Sequence, residues 1–199
     1  MKSIVFINNS QDGNRLEETQ ANGSHIPGWC LLADSAVSNT GKPFYLPDLE
    51  RETRGSLVFA VKISRLGKGI SPKFSHRYYS EIAPAVNFWL PTLEAELRGG
   101  GLPDDAARNF DRALMVGEFG PFDPGLELTL RINGQEACRA SLKALTFSLD
   151  ECLAEISKFN TLKMGDLLIP DRGHGIPLEV GNLLEIFSGD EKAFHIKIK

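Results

Sequence analysis

The sequence predicts an α+β protein built mostly from β-strands, with short helices lying over them as covers. Three segments carry that prediction. SLVFAVKI, Ser56 to Ile63, is a continuous apolar run with β-branched residues, the pattern of a strand buried on both faces. GLELTLRINGQEACRA alternates apolar and polar residues around Asn133-Gly134, a pair suited to a two-residue hairpin turn. Ser148 to Phe159 sets Leu149, Cys152, Leu153 and Ile156 at helical spacing behind a serine cap, with Glu151 three residues on as its capping-box partner.

The other elements follow in chain order. Ile4 to Ile7 is a short strand that ends at Asn8, Asn9 and Ser10, and residues 10–25 form a long polar loop. Trp29 to Leu32 reads as a second strand leading toward Pro43 and Pro47. Lys62 marks where the central strand reaches solvent. Ser71 followed by Pro72 is an N-cap and first-turn pair for a short helix over Ser71 to Tyr79. Pro84 and Pro91 read as breaks flanking a strand-like AVNFWL. Thr92 then caps a short helix with Leu93 and Leu97 four apart, which stops at Gly99, Gly100 and Gly101. Pro103 to Arg108 suits another short helix, and the final AFHIKIK alternates into lysines as an outer or edge strand does.

Length and composition narrow the class. At 199 residues, with no repeat or linker, residues 1–199 are expected to form one domain around one core. Hydrophobic residues are 42% and charged residues 24%, an ordinary globular balance. A net charge of −4, with both signs mixed along the chain, argues against nucleic acid or anionic lipid as a partner. Cys30, Cys138 and Cys152 are odd in number and widely spaced, which fits neither a disulfide framework nor a zinc site. The apolar run after Met1 is too short for a signal-peptide core or a membrane span, so a cytoplasmic location is expected.

The order of segments also carries a resemblance. GKPFYLPD, SLVFAVKISRLGKGI, KFSHRYYSEI, ARNFDRALMVGEF, LELTLRINGQ, ISKFNTLKMGDLLIP and VGNLLEIFSGDEKAFHIKI together resemble the catalytic domain of the fumarylacetoacetate hydrolase family, over nearly the whole chain. The resemblance implies that family's mixed-sheet roll and its usual homodimer. It also implies cleavage, isomerisation or decarboxylation of a small keto or diketo acid, with a magnesium-type cation polarising the substrate oxygens.

The family holds that cation with a Glu-x-Glu on the central strand and a later Asp. Counted back from Arg65-Leu66-Gly67-Lys68, the Glu positions are Ser56 and Val58; counted forward from Tyr78 to Ile82, the Asp position is Asn87. On this alignment no anionic ligand remains. The family's early Asn-Tyr and nearby His fall on Asn8, Asn9 and Asp12. The run after its ligand Asp becomes Trp89, Leu90, Pro91 and Thr92, its Lys before the FD aligns with Arg108, and its late Thr-Gly-Thr-Pro loop becomes Asp171, Arg172, Gly173 and His174.

Each position has a plainer reading. Ser56 and Val58 read as buried strand residues, Asn87 as a group satisfying backbone, and Arg108 as an ion-pair partner or a substrate clamp. His174 lies between glycines near Arg172, in a loop that the resemblance assigns to substrate, whereas His25, His76 and His195 suggest packing or exposed positions. Two functions follow. The first is a catalytically degenerate member that acts as a small-carboxylate-binding or structural protein, with Arg108, His174, Arg172, Asn87 and Asp12 as the ligand-binding residues and no cofactor expected. The second is an active enzyme with an altered site, for which magnesium or manganese is the cofactor.

Overall fold

The computed structural model describes residues 1–7, 9, 28–48, 50–173 and 175–199. Asp12 and His174 therefore lie outside the described residues, as do Asn8 and the whole of the long polar loop over residues 10–25. Thirteen strands and three α-helices are formed among the described residues.

A large mixed sheet is built on β1 (Ser3–Ile7), β2 (Gly28–Leu32), β3 (Val37–Asn39), β4 (Thr53–Ile63), β5 (Tyr79–Trp89), β6 (Leu114–Val116) and β10 (Leu167–Ile169), in the order β2-β1-β10-β4-β5-β6-β3. Two further strands extend it, β7 (Gly120–Pro121) on β5 and β11 (Ile176–Leu178) on β4. A second, antiparallel sheet has the order β13-β12-β8-β9, with β8 (Glu127–Ile132), β9 (Gln135–Ser141), β12 (Leu183–Ser188) and β13 (Glu191–Lys197). Helices α1 (Pro72–Ser75), α2 (Pro91–Gly99) and α3 (Leu149–Phe159) are short. The arrangement is the mostly β, curled α+β roll that the sequence predicts.

Strand β4 is apolar throughout because both its faces are covered. Leu57, Phe59, Val61 and Ile63 face a core shared with Leu128, Leu130, Leu184, Ile186 and the buried side of α3. Val58 and Ala60 face a second core with Ala83, Ala85, Leu114 and Ile169. The period-2 geometry of a strand separates the two sets. The hairpin turn falls at Asn133 and Gly134, whose φ values of 51° and 82° are those of a type I′ turn. The capping box on α3 is complete, with Ser148 and Glu151 each accepting from the other's backbone N–H.

Several boundaries differ from the sequence reading. Pro84 does not break the chain but sits inside β5 opposite Phe59. It is tolerated because it lies beyond the end of β6, which pairs only to Ala85, and before β7, which pairs at Ile82, so no ladder bond needs its N–H. Thr92 is not the cap of α2: Leu90 holds that place without a side-chain bond, and Pro91 opens the helix. The helix expected over Ser71 to Tyr79 is only α1, because Tyr79 is drawn into β5 by its pairing with Ile63. Pro103 to Arg108 contains a single 3₁₀ turn, Asp105–Ala107. Strand β13 is an edge strand, as its lysines suggest.

Candidate functional site

The three positions matched to the family's metal ligands come together in the fold. Ser56 and Asn87 are direct cross-strand partners on β4 and β5, and Val58, opposite Ala85, lies two residues from Ser56 on the same face. All three are buried. Asn87 Nδ2 donates to the Ala113 carbonyl at 2.8 Å, which is the backbone-satisfying role. Ser56 Oγ has no hydrogen-bond partner among the described residues.

The loop after β10 closes over this place. Arg172 N donates to the Phe6 carbonyl at 2.7 Å, and Asn9 N donates to Asp171 Oδ1 at 3.0 Å. Gly173, at φ 72°, brings its backbone so close that a Cβ there would lie 3.2 Å from the Leu57 carbonyl and 3.4 Å from Ser56 Cβ. A Cβ on Gly175 would run into the ring of Trp89. Trp89, two residues along β5 from Asn87 and so on the same face, fills the space beside the loop. A cavity of about 300 Å³ opens along β4 between the ends of β10 and β11, with Leu57, Phe59, Cys138, Leu145 and Asp171 in its walls.

Beside Trp89 lies a cluster of charge. Arg172 stacks on the Trp89 ring, 4.5 Å from its centroid, and its Nη1 reaches both carboxylate oxygens of Glu94 at 3.1 Å. Arg108 Nη2 lies 3.3 Å from Glu94 Oε1 and also pairs with Asp104. Arg98 closes the group from the rim, 2.8 Å from Glu94 and 2.7 Å from Asp104. Glu94, Arg108 and Arg172 are only 6%, 6% and 5% exposed, so this is a buried ion network and not a surface one. Burial alone would lower the Arg108 guanidinium, but Cys30, Asp104 and Glu94 outweigh it and hold it above its ordinary value. The Cys30 thiol is pushed up by burial, a shift that its hydrogen bond to Arg108 reduces.

Of the residues expected from the sequence, Arg108 and Arg172 meet around one carboxylate, and Asn87 lies one step away along β5. Glu94 and Asp104 were not anticipated. Glu94 lies within the stripe of Leu90, Leu93 and Leu97, an acid on the apolar side of a short helix, which is the one local signal that could have drawn attention to it.

None of the three strand positions, Ser56, Val58 and Asn87, carries a carboxylate. A hard cation needs several oxygen ligands, commonly carboxylates, to offset its dehydration. Here the strand positions offer a hydroxyl, an isopropyl and an amide whose NH₂ group is already committed to backbone. Among the described residues, no group of three or more His, Cys, Asp or Glu side chains is placed to hold a metal.

Comparison with known proteins places the chain. The family model described as fumarylacetoacetate (FAA) hydrolase C-terminal matches residues 10–170. The bovine (Bos taurus) mitochondrial oxaloacetate tautomerase FAHD1 is 25% identical over 189 residues, covering 92% of this chain and 83% of that protein. An uncharacterized protein of Pyrococcus horikoshii is 24% identical over 183 residues, covering 86% of this chain and 79% of its own. Among solved structures, a fumarylacetoacetate hydrolase family protein of Yersinia pestis superposes with a TM-score of 0.88 at 20% identity, covering all of this chain and 93% of its own. Fumarylpyruvate hydrolase of Pseudomonas aeruginosa, solved with Mn²⁺ and pyruvate, gives 0.88 at 16% identity, covering 100% of this chain and 89% of its own. The shared fold, the order of its segments and the matched domain show that the chain belongs to the fumarylacetoacetate hydrolase family.

Proposed function

We propose that this member has given up the family's metal-dependent reaction and binds a small carboxylate without metal. The observation that carries the reading is the set Ser56, Val58 and Asn87 at the ligand positions, beside a site whose charge is supplied by arginines. A metal contributes by polarising substrate oxygens; a guanidinium offers charge and paired N–H donors to a carboxylate, but it does not exchange protons near neutral pH. Arg108 and Arg172 bear on the anion and Asn87 lies near it; Asp12 and His174, which the sequence reading adds to the set, lie outside the described residues. A homodimeric, cytoplasmic protein goes with this reading, one that engages neither nucleic acid nor membrane, the last point supported by the mixed charge of the chain. Among the described residues, no helix is long and apolar enough to cross a membrane.

A second reading is an active hydrolase, isomerase or decarboxylase of a small keto or diketo acid with an altered site. It is favoured by the relatives, one of which is called an oxaloacetate tautomerase and another of which was solved with Mn²⁺ and pyruvate. Two measurements separate the readings: equilibrium dialysis against Mn²⁺, and turnover of oxaloacetate or an acylpyruvate with Mg²⁺ present. The first reading expects neither retained metal nor turnover. Metal-dependent turnover at rates ordinary for enzymes would overturn it.

A further inference from the structure

Strand β4 has an open stretch on one edge. There β11 pairs with it only from Thr53 to Gly55, and β10 only at Val61 and Lys62. The main-chain groups of Phe59 point into that gap. Its cross-strand neighbour Pro84 turns its carbonyl the other way, to accept from Gly117 N at 2.8 Å, so Phe59 and Pro84 do not bond each other. Four residues further along β4, Ile63 bonds Asp166 and Gly165 on the open edge, and the period-2 alternation of a strand gives Phe59 the same phase.

The register explains the gap. Val61 faces Leu168, so the next ladder partner of Phe59 is Pro170, which has no N–H to give. The Pro170 carbonyl instead accepts from Asn9 Nδ2 at 2.8 Å. The Leu57 N–H, on the same edge, donates to the Cys138 thiol. Among the described residues, neither a strand ladder nor a loop group takes the N–H and C=O of Phe59, although the residue is only 4% exposed. Phe59 lines the cavity of about 300 Å³, with Leu57, Ala140 and Leu145 in its apolar wall and Arg139 and Asp171 among its polar residues.

We infer that this cavity is a binding site for an N-acylated α-amino acid with an apolar side chain. The ligand takes the place of the missing strand residue: its amide N–H donates to the Phe59 carbonyl and its carboxylate accepts from the Phe59 N–H, as two residues of an antiparallel ladder do. A volume at the lower end of small-molecule pockets admits one residue with its acyl group and not a longer chain. An acylated nitrogen suits the site better than a free ammonium, whose second charge would have to be desolvated. Asp171, the carboxylate in the wall, already accepts from Asn9 N. Arg139 supplies the countercharge for the ligand's carboxylate, because its pair with Glu136 is exposed and therefore weak. The site is separate from the arginine cluster, since none of Glu94, Arg108 and Arg172 lines it.

The test is isothermal titration of the full chain with N-acetylleucine. Saturable binding is expected, and roughly tenfold or more weaker binding of N-acetyl-N-methylleucine, which lacks the amide N–H. Ala144→Trp, at an exposed position on the cavity wall, is expected to abolish binding while leaving the melting temperature close to that of wild type. Amide exchange read by NMR needs no variant: in the free protein the Phe59 N–H should exchange faster than those of Val58 and Ala60, which bond toward β5, and N-acetylleucine should slow it. Lack of binding, equal affinity for the N-methylated analogue, or unchanged affinity in a folded Ala144→Trp would overturn the proposal. So would a Phe59 amide as protected as its two neighbours before ligand is added. Metal retention and turnover, which test the carboxylate-binding reading, do not enter these outcomes, so either can fail alone.

Discussion

Glu94→Ala removes the carboxylate from between two guanidiniums that have almost no access to water. Arg172 loses both of its 3.1 Å contacts to Glu94, and Arg108 keeps Asp104 and the Cys30 thiol. Breaking a buried ion pair by deleting one partner costs about 3–5 kcal/mol, because the remaining charge stays desolvated. For a chain of this length that is a fall in melting temperature of roughly 6–20 °C. Equilibrium urea denaturation gives the free energy directly, read as a shift in midpoint at unchanged slope. The loss should persist at high salt, since buried charges are screened far less than exposed ones. A cost below about 1 kcal/mol, the range of exposed pairs, would show that water reaches the cluster and would refute the reasoning. Replacing all three buried members together by apolar residues should restore most of the loss.

Other expectations concern the parts around the site. Gly175→Ala should destabilise by roughly 1–3 kcal/mol through overpacking against Trp89, and Trp89→Leu in the same chain should relieve most of it, as a double-mutant cycle in urea would read. Burial pushes the Asp166 carboxyl up, but the Lys2 side chain and the backbone N–H groups of Lys163 and Lys2 outweigh it and leave it below the usual carboxylate range. A carboxyl lowered on folding stabilises above its unfolded pKa and loses that contribution as pH falls through its folded value. The stability gap between wild type and Asp166→Asn should therefore be full at pH 7 and shrink in acid, and a gap independent of pH would contradict it. Burial pushes the Cys138 and Cys152 thiols up to about 11 and about 12, and raises Cys30 as well. Iodoacetamide at pH 8 should label none of the three in the native protein within the time that labels all three after denaturation, as mass spectrometry would count.

The parts of this fold legible in the sequence are those whose signal is local. The apolar run of β4 announces a strand covered on both faces, the Asn133-Gly134 turn supplies two residues suited to positive φ, and Ser148 with Glu151 closes a capping box within four residues. Short strands such as β6, β7 and β11 escape because two or three residues carry no period. Pro84 misleads because its tolerance depends on where β6 and β7 end, which is a property of the neighbours. The site divides in the same way. Ser56 and Asn87, counted out from separate anchors, stand opposite each other across β4 and β5. Glu94 meets Arg172 across 78 positions of chain, and no spacing rule connects an acid on a short helix with a loop that far away.

The most direct test of the account is thermal denaturation of the wild-type protein with oxalate, alone and together with Mg²⁺ or Mn²⁺. Ligand at about 100 times its dissociation constant adds about 2.7 kcal/mol, a rise of roughly 5–10 °C for a chain this size. The account predicts a rise with oxalate that is the same whether or not metal is present, and none with metal alone. A rise that appears only when oxalate and metal are combined would contradict it, because it would show a working metal site at Ser56, Val58 and Asn87.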